Sequence, residues 1–280
     1  MHSKAPANLP ADGGKNDDSS NKALMTQQRR ERIAEHVQKH GVARVGELTA
    51  IFGVSGVTIR SDLVHLEKYG RLVRDRGGAL AKNSGVFVTN LARVDERATQ
   101  HLDAKQRIAK TAAQLISPGD TIILDAGTTV MELAKLLKSV SPLTVVTNAI
   151  NVALEFVNAP PDTRLVLLGG TYSRESASTL GSLAQQNLQE LAVQRLFLGT
   201  QAIDLAHGLS DSTMEIAQIK RAMIAAAREV ILLTDSSKWG LTSLTRVAPL
   251  NEIDMMITDR DLPTSARPAL EKLGIELHIV

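Results

Sequence analysis

The stretch from residue 54 to residue 63, Val54-Ser55-Gly56-Val57-Thr58-Ile59-Arg60-Ser61-Asp62-Leu63, constrains the fold more than any other. Ser55 is placed to cap a helix, and Ile59, Leu63 and Leu66 recur at helical spacing, so that one side is buried. At about 100° per residue, Val57, Thr58 and Ser61 fall opposite that stripe, with Arg60 at its flank. Short side chains beside a cation suit the floor of a DNA groove next to a phosphate. An ordinary amphipathic surface helix has the same periodicity, so the neighbouring segments must decide.

Upstream, Glu47, Leu48, Ile51 and Phe52 form a short helical pattern closed by Gly53, a residue that enters the left-handed region cheaply. Two helices therefore meet through a turn of three or four residues, a helix-turn-helix. A further amphipathic helix runs from Arg29 to Lys39 and ends at Gly41. Gly70 ends the second helix of the pair, Arg71-Leu72-Val73-Arg74 alternates like a strand, Asp75-Arg76-Gly77-Gly78 turns, and Ala79-Leu80 begins the return. That hairpin is the wing of a winged helix. Charge agrees: residues 27–80 hold 10 Lys/Arg against 6 Asp/Glu, whereas residues 81–280 hold 19 against 21. A basic surplus concentrated in the winged-helix segment fits release of condensed counterions from DNA, with Ser55, Val57, Thr58 and Ser61 at the groove and Arg60, Arg71, Arg74 and Arg76 at phosphates.

Residues 29–80 resemble the DNA-binding domain of the DeoR family of sugar-responsive bacterial repressors. The resemblance rests on Phe52-Gly53-Val54-Ser55, Thr58-Ile59-Arg60, Asp62-Leu63, Leu66-Glu67 and Gly77-Gly78-Ala79 at the family's spacing. The family often has a second basic residue after the one matched by Arg60. Here that position is Ser61, which bears on operator choice rather than on docking.

A length of 280 residues and 43% hydrophobic content allow two packed domains. Aromatics are scarce, with one Trp, two Tyr and four Phe, which disfavours stacking on single-stranded bases while duplex binding needs no such platforms. Cysteine is absent, which removes disulfides and cysteine-based metal centres. Residues 1–24 lack an apolar block and read as a flexible tail without a secretory signal. No segment approaches the ~18 apolar residues of a membrane span, so a cytoplasmic protein is expected. The organisation expected is a tail over 1–24, a winged helix-turn-helix over 25–80, a connection over 81–104 and a larger domain over 105–280.

From residue 105 apolar runs alternate with helical patterns, as in a mostly parallel α/β sheet covered on both faces. Strands are expected at Thr121–Leu124, Leu143–Thr147, Arg164–Leu168, Arg195–Leu198, Val230–Thr234, Met255–Thr258 and Glu276–Ile279. Ligands of such sheets collect beyond the carboxyl ends of the strands. There, Asp125-Ala126-Gly127-Thr128-Thr129 opens a helix, and the glycine, the free amides of the helix start and two hydroxyls fit a phosphate. A plain helix cap would use the same threonines for its own backbone. Other strand ends bring Asn148, Gly169, Gly170, Gln201, Asp235 and Lys238. Amide side chains pair with sugar hydroxyls, glycines permit close approach, and Lys238 adds charge beside Asp235.

The resemblance extends to residue 280 through Asp125-x-Gly127-Thr128-Thr129, Thr147-Asn148, Gly169-Gly170, Gly181, Phe197-Leu198-Gly199, Asp235-Ser236-Ser237-Lys238 and Ile253-Asp254. It implies a sensor domain with a ribose-5-phosphate isomerase-like fold that binds phosphorylated sugars, the Gly-Thr-Thr turn taking the phosphate. Phe197 to Ser210 is most similar to the branch controlling amino-sugar use, the N-acetylgalactosamine pathway. In two places the chain departs from that pattern: Gln201 stands where Asp is frequent, and Ile216-Ala217 replaces a usual Glu-Ala. The expected protein is a homo-oligomeric repressor of a carbohydrate operon, without cofactor or metal, whose hold on duplex operator DNA is switched by a phosphorylated sugar. The alternative is a sugar-phosphate isomerase-like enzyme with an appended DNA-binding domain, Asp125 or Asp235 serving as base and Lys238 as electrophile. His36 and His40 lie four apart on a helix, but no third metal ligand is evident. No nucleotide-binding loop or nucleophile elbow is present.

Overall fold

The computed structural model describes residues 26–37, 42–69, 71–75, 78–81, 86–88 and 92–280. The chain divides into two compact units after residue 84. The expected tail over 1–24 lies outside the described residues, as do Arg76 and Gly77 of the wing turn.

In the first unit, helix α1 spans residues 26–37, followed by β1 (Val42–Arg44), α2 (Val45–Phe52), α3 (Gly56–Lys68), β2 (Leu72–Asp75) and β3 (Gly78–Ala81). Gly53 has φ +64°, and its N–H donates to Thr49 O at 3.0 Å, which ends α2 and turns the chain into α3. Ile33, Val37, Leu48, Ile59, Leu63 and Leu72 close a small core of their own. β3 pairs antiparallel with both β1 and β2, forming the wing. β1 was not anticipated, because three residues carry too little periodicity to mark a strand.

The second unit runs through β4 (Val86–Val88), α4 (Val94–Thr99), α5 (Leu102–Ala113), β5 (Thr121–Leu124), α6 (Thr128–Leu137), β6 (Leu143–Thr147), α7 (Ile150–Leu154) and β7 (Thr163–Leu167). It continues with β8 (Thr171–Ser173), β9 (Ser178–Leu180), α8 (Ser182–Gln189), β10 (Val193–Leu198), β11 (Ala202–Asp204), β12 (Gly208–Asp211), α9 (Met214–Ala226) and β13 (Ala227–Leu233). The last elements are β14 (Leu241–Ser243), β15 (Thr245–Ala248), β16 (Met255–Thr258), α10 (Arg267–Lys272) and β17 (Glu276–Ile279). Segment 81–104 is therefore not a bare connection. It carries β4, which pairs in parallel with β14, and all of α4.

Seven strands form one parallel sheet in the order β17-β16-β13-β10-β5-β6-β7. Alternation along each strand supplies two cores. Ile122 and Leu124 face α5 and α6 with Phe197 and Ile231, whereas Ile123 faces the opposite side with Leu196, Leu198 and Leu232, under α8 and α9. The chain runs outward from β5 through β6 to β7, then returns to β10 on the other side of β5. The order reverses between β5 and β10, so a crevice opens at their carboxyl ends.

Candidate functional site

α3 carries the first candidate surface. Ser55 Oγ accepts from Thr58 N at 3.2 Å and caps the helix. Val57, 75% exposed, Arg60 and Ser61 lie on the open face; Thr58 is half-buried, its hydroxyl 2.9 Å from Ser55 Oγ. On the wing, Arg71 is exposed, and Arg74 Nη1 lies 3.7 Å from Glu67 of α3. Arg76 lies outside the described residues.

Asp62, part of the Asp62-Leu63 mark, is 1% exposed on the inner side of α3, and its role there is not legible in the sequence. Its two oxygens accept from Arg29 Nε at 2.7 Å and Arg30 Nε at 2.8 Å, both on α1. Two cations of the basic surplus are thus used to fix the exposed helix against the one behind it. A pair of arginines 32 and 33 positions upstream in the chain gives no periodic signal by which to find this.

The second candidate is a cleft at the β5/β10 crevice, whose empty space, open mouth included, is about 740 Å³. Asp125, Gly127, Thr128, Thr129, Asn148, Gln201, Asp235 and Lys238 all line it. Gly169 and Gly170 do not. Gly170 adopts φ +136° with the Leu180 carbonyl 2.4 Å from where a Cβ would sit, so it serves the close approach of two strands rather than a ligand.

α6 begins at Thr128 with Gly127 as N-cap, so no side chain caps its first-turn amides. Thr128 and Thr129 are buried there, presenting hydroxyls beside the positive end of the helix dipole. Asn148, 1% exposed, donates from Nδ2 to Thr179 O at 2.9 Å, while its Oδ1 has no partner. An unpaired buried acceptor on a cleft wall suits a ligand O–H or N–H. Ser243 Oγ donates to Val88 O at 2.7 Å and sits 3.4 Å from Gln201 Oε1, so the Gln201 wall adjoins β4.

Several lining residues escaped the sequence reading. Lys220 of α9 is buried with Nζ 3.2 Å from Asp125 Oδ2, 2.9 Å from Asp211 Oδ2 and 2.7 Å from Gly199 O. Burial opposes its charge, but the Asp125 and Asp211 carboxylates outweigh that and hold the ammonium above the ordinary lysine value. Arg97 of α4 donates to Ala92 O at 2.9 Å; burial draws its guanidinium below the ordinary value, against the pull of Asp211 and Asp125. Lys105 of α5 also lines the cleft. Arg97 lies within residues 81–104, whose pattern reads as a connection, and Lys105 and Lys220 lie on helices, away from the strand ends.

Residues 100–260 match the model of the DeoR C-terminal sensor domain, and residues 29–85 match that of the DeoR-like helix-turn-helix domain. The chain belongs to the DeoR family. Its relatives include a putative aga operon transcriptional repressor of Escherichia coli O157:H7, 38% identical over 91% of this chain and 94% of that protein. The transcriptional repressor GlcR of Bacillus subtilis is 36% identical over 88% of this chain and 93% of its own. Among solved structures, a D-ribose-5-phosphate isomerase in complex with phospho-erythronic acid aligns with 49% of this chain and 54% of that one, at 19% identity and a TM-score of 0.37, too distant to bear on activity. The DeoR-family assignment accounts for both halves: a helix-turn-helix that binds DNA and a mixed α/β domain that senses. No described helix is long and apolar enough to cross a membrane.

Proposed function

We propose that this DeoR-family protein is a repressor of a carbohydrate-utilisation operon, acting in the cytoplasm as a homo-oligomer, whose affinity for operator duplex is switched by a phosphorylated sugar. The observation that carries this is the convergence of an uncapped helix start, Thr128 and Thr129, with the unpaired Asn148 Oδ1 in one cleft at the sheet's switch point. The helix start takes the phosphate, and Asn148, Gln201 and the Asp125/Asp211 wall meet the hydroxyls. An amino-sugar phosphate is the favoured class, since the aga operon repressor is named for such a pathway's operon and Asn148 Oδ1 suits an N–H donor. On the DNA side, Ser55, Val57, Thr58 and Ser61 face the groove while Arg60, Arg71, Arg74 and Arg76 engage phosphates.

Coupling of ~1–3 kcal/mol between the two sites suffices for such a switch. Operator binding measured across a panel of sugar phosphates tests it: one of them changes the operator Kd about tenfold, and a Kd unmoved by every member overturns the proposal. The two carboxylates of the isomerase-like alternative are each anchored through one oxygen. Asp125 Oδ2 is held by Gly199 N at 3.0 Å and by Lys220, and Asp235 Oδ1 is occupied by the Ser237 amide and hydroxyl. Each carboxylate keeps its second oxygen for ligand hydroxyls, and the relatives' names, all of transcriptional regulators, favour sensing over catalysis.

A further inference from the structure

Two lysines are buried among the described residues, and they differ in their counter-charges. Lys220 lies between two carboxylates. Lys105, 4% exposed at the start of α5, lines the same cleft. Among the described residues its Nζ makes one hydrogen bond, to the Arg97 carbonyl at 2.5 Å, and has no carboxylate within ion-pair distance. An ammonium carries three donors, so two remain unused. The acids nearest in charge, Asp235 and Glu132, are committed elsewhere, Asp235 to Ser237 and Glu132 to Lys135 at 2.6 Å and Gln106 at 3.4 Å. A buried cation without a partner is unfavourable until a counter-charge arrives.

Lys105 lines the cleft together with Gly127, Thr128 and Thr129, so its charge shares the space onto which the uncapped start of α6 opens. We propose that Lys105 is the residue that reads the effector's phosphate: no carboxylate of the described residues pairs with its ammonium, and the dianion seated at the start of α6 supplies the counter-charge. This rests on the phosphosugar reading above and narrows it, because a neutral sugar of the same shape leaves Lys105 unpaired and binds poorly.

The electrostatic surroundings agree. Burial holds the Lys105 ammonium down to about 8, Asp235 and Glu132 pulling upward and Lys238 and Arg97 downward. A bound dianion raises it again, so above pH 8 effector binding takes up a proton and weakens. The ligand does not share this titration, since the second phosphate pKa is near ~6.

The test is calorimetric titration of the full chain with hexose and N-acetylhexosamine 6-phosphates, beside the unphosphorylated sugars, for wild type, Lys105→Met and Lys105→Arg. For each sugar phosphate that binds wild type, the Kd is expected to rise about tenfold between pH 8 and pH 9.5, as one linked proton requires. Lys105→Met binds about tenfold more weakly at pH 7.5, with no such pH dependence, and its preference for phosphorylated over free sugar shrinks. Lys105→Arg keeps the affinity and loses the pH dependence. Lys105→Met binding within twofold of wild type, or a wild-type Kd flat to pH 9.5, overturns the role of Lys105 and leaves the phosphosugar proposal standing. Wild type binding none of the phosphates overturns both. Thermal unfolding checks each variant, and the wild-type pH profile decides without any substitution.

Discussion

Lys220 Nζ lies 3.2 Å from Asp125 Oδ2, an ion pair buried in the sensor domain that joins α9 to the end of β5. Asp211 completes it from β12. Lys220→Met leaves two carboxylates buried without their cation. The sensor domain is expected to lose about 3–5 kcal/mol, as removal of one partner from a buried pair typically costs. Urea denaturation measures it, and Lys220→Met combined with Asp125→Asn and Asp211→Asn recovers part of the loss.

Lys105 gives the fold an unusual alkaline response. Its folded pKa of about 8 lies below the ordinary lysine value of 10.5. Between those values the unfolded chain keeps a proton that the folded cleft has released, so the contribution of Lys105 to stability rises with pH. Lys105→Met is therefore expected to be more stable than wild type at pH 7, by about 1–3 kcal/mol, and the gap to close by pH 10. Thermal unfolding without ligand or phosphate buffer follows both; a gap independent of pH contradicts the assignment.

Asp62 anchors α3 to α1 through Arg29 and Arg30. Asp62→Asn removes the anion and sets an amide donor against one of the two arginines, and is expected to destabilise the winged helix by about 2 kcal/mol. Operator affinity should fall while effector affinity, measured by calorimetry, stays at the wild-type value.

The exposed arginine of α3 and the threonine of α6 separate the two activities. Arg60→Ala should weaken operator binding and lower the magnitude of the log–log salt slope by about 0.9, without changing effector binding. Thr128→Val should do the reverse: effector affinity falls, and the effector-free operator Kd is unmoved. Filter binding at several salt concentrations, paired with calorimetry, gives both readouts.

Gly170 has a structural role that is separable from effector binding. Gly170→Ala forces a Cβ to within 2.4 Å of the Leu180 carbonyl at φ +136°. A loss of about 2–4 kcal/mol is expected. Folded protein at low temperature should bind effector as wild type does; a variant that stays fully stable but loses binding would return Gly170 to the ligand.

The helix-turn-helix and the parallel sheet were legible because both write themselves in local pattern. Ser55, Gly53 and the Ile59/Leu63/Leu66 stripe announce α3, and continuous apolar runs announce strands buried on both faces. The Gly127-Thr128-Thr129 turn could be found the same way, since a strand end and a helix start coincide there. Asp62, Lys105, Arg97 and Lys220 could not. Each matters through a partner brought close only by folding, and a lone charge on an amphipathic helix looks like solvated surface. Gly169 and Gly170 mislead for the converse reason: adjacent glycines at a strand end look alike whether the close neighbour is a ligand, the Leu183 side chain of α8 or the backbone of another strand.

β4 pairs with β14 in a two-stranded ladder, with Val86 opposite Leu241 and Val88 opposite Ser243. Anyone dissecting the molecule must respect that seam. A sensor fragment begun at residue 105, where the alternating pattern starts, would strip β14 of its neighbour and bare a row of main-chain donors and acceptors to other molecules. It would also remove Arg97 from the cleft wall. Such a fragment is set to clump and to misreport affinity, whereas one begun ahead of residue 86 keeps the edge covered.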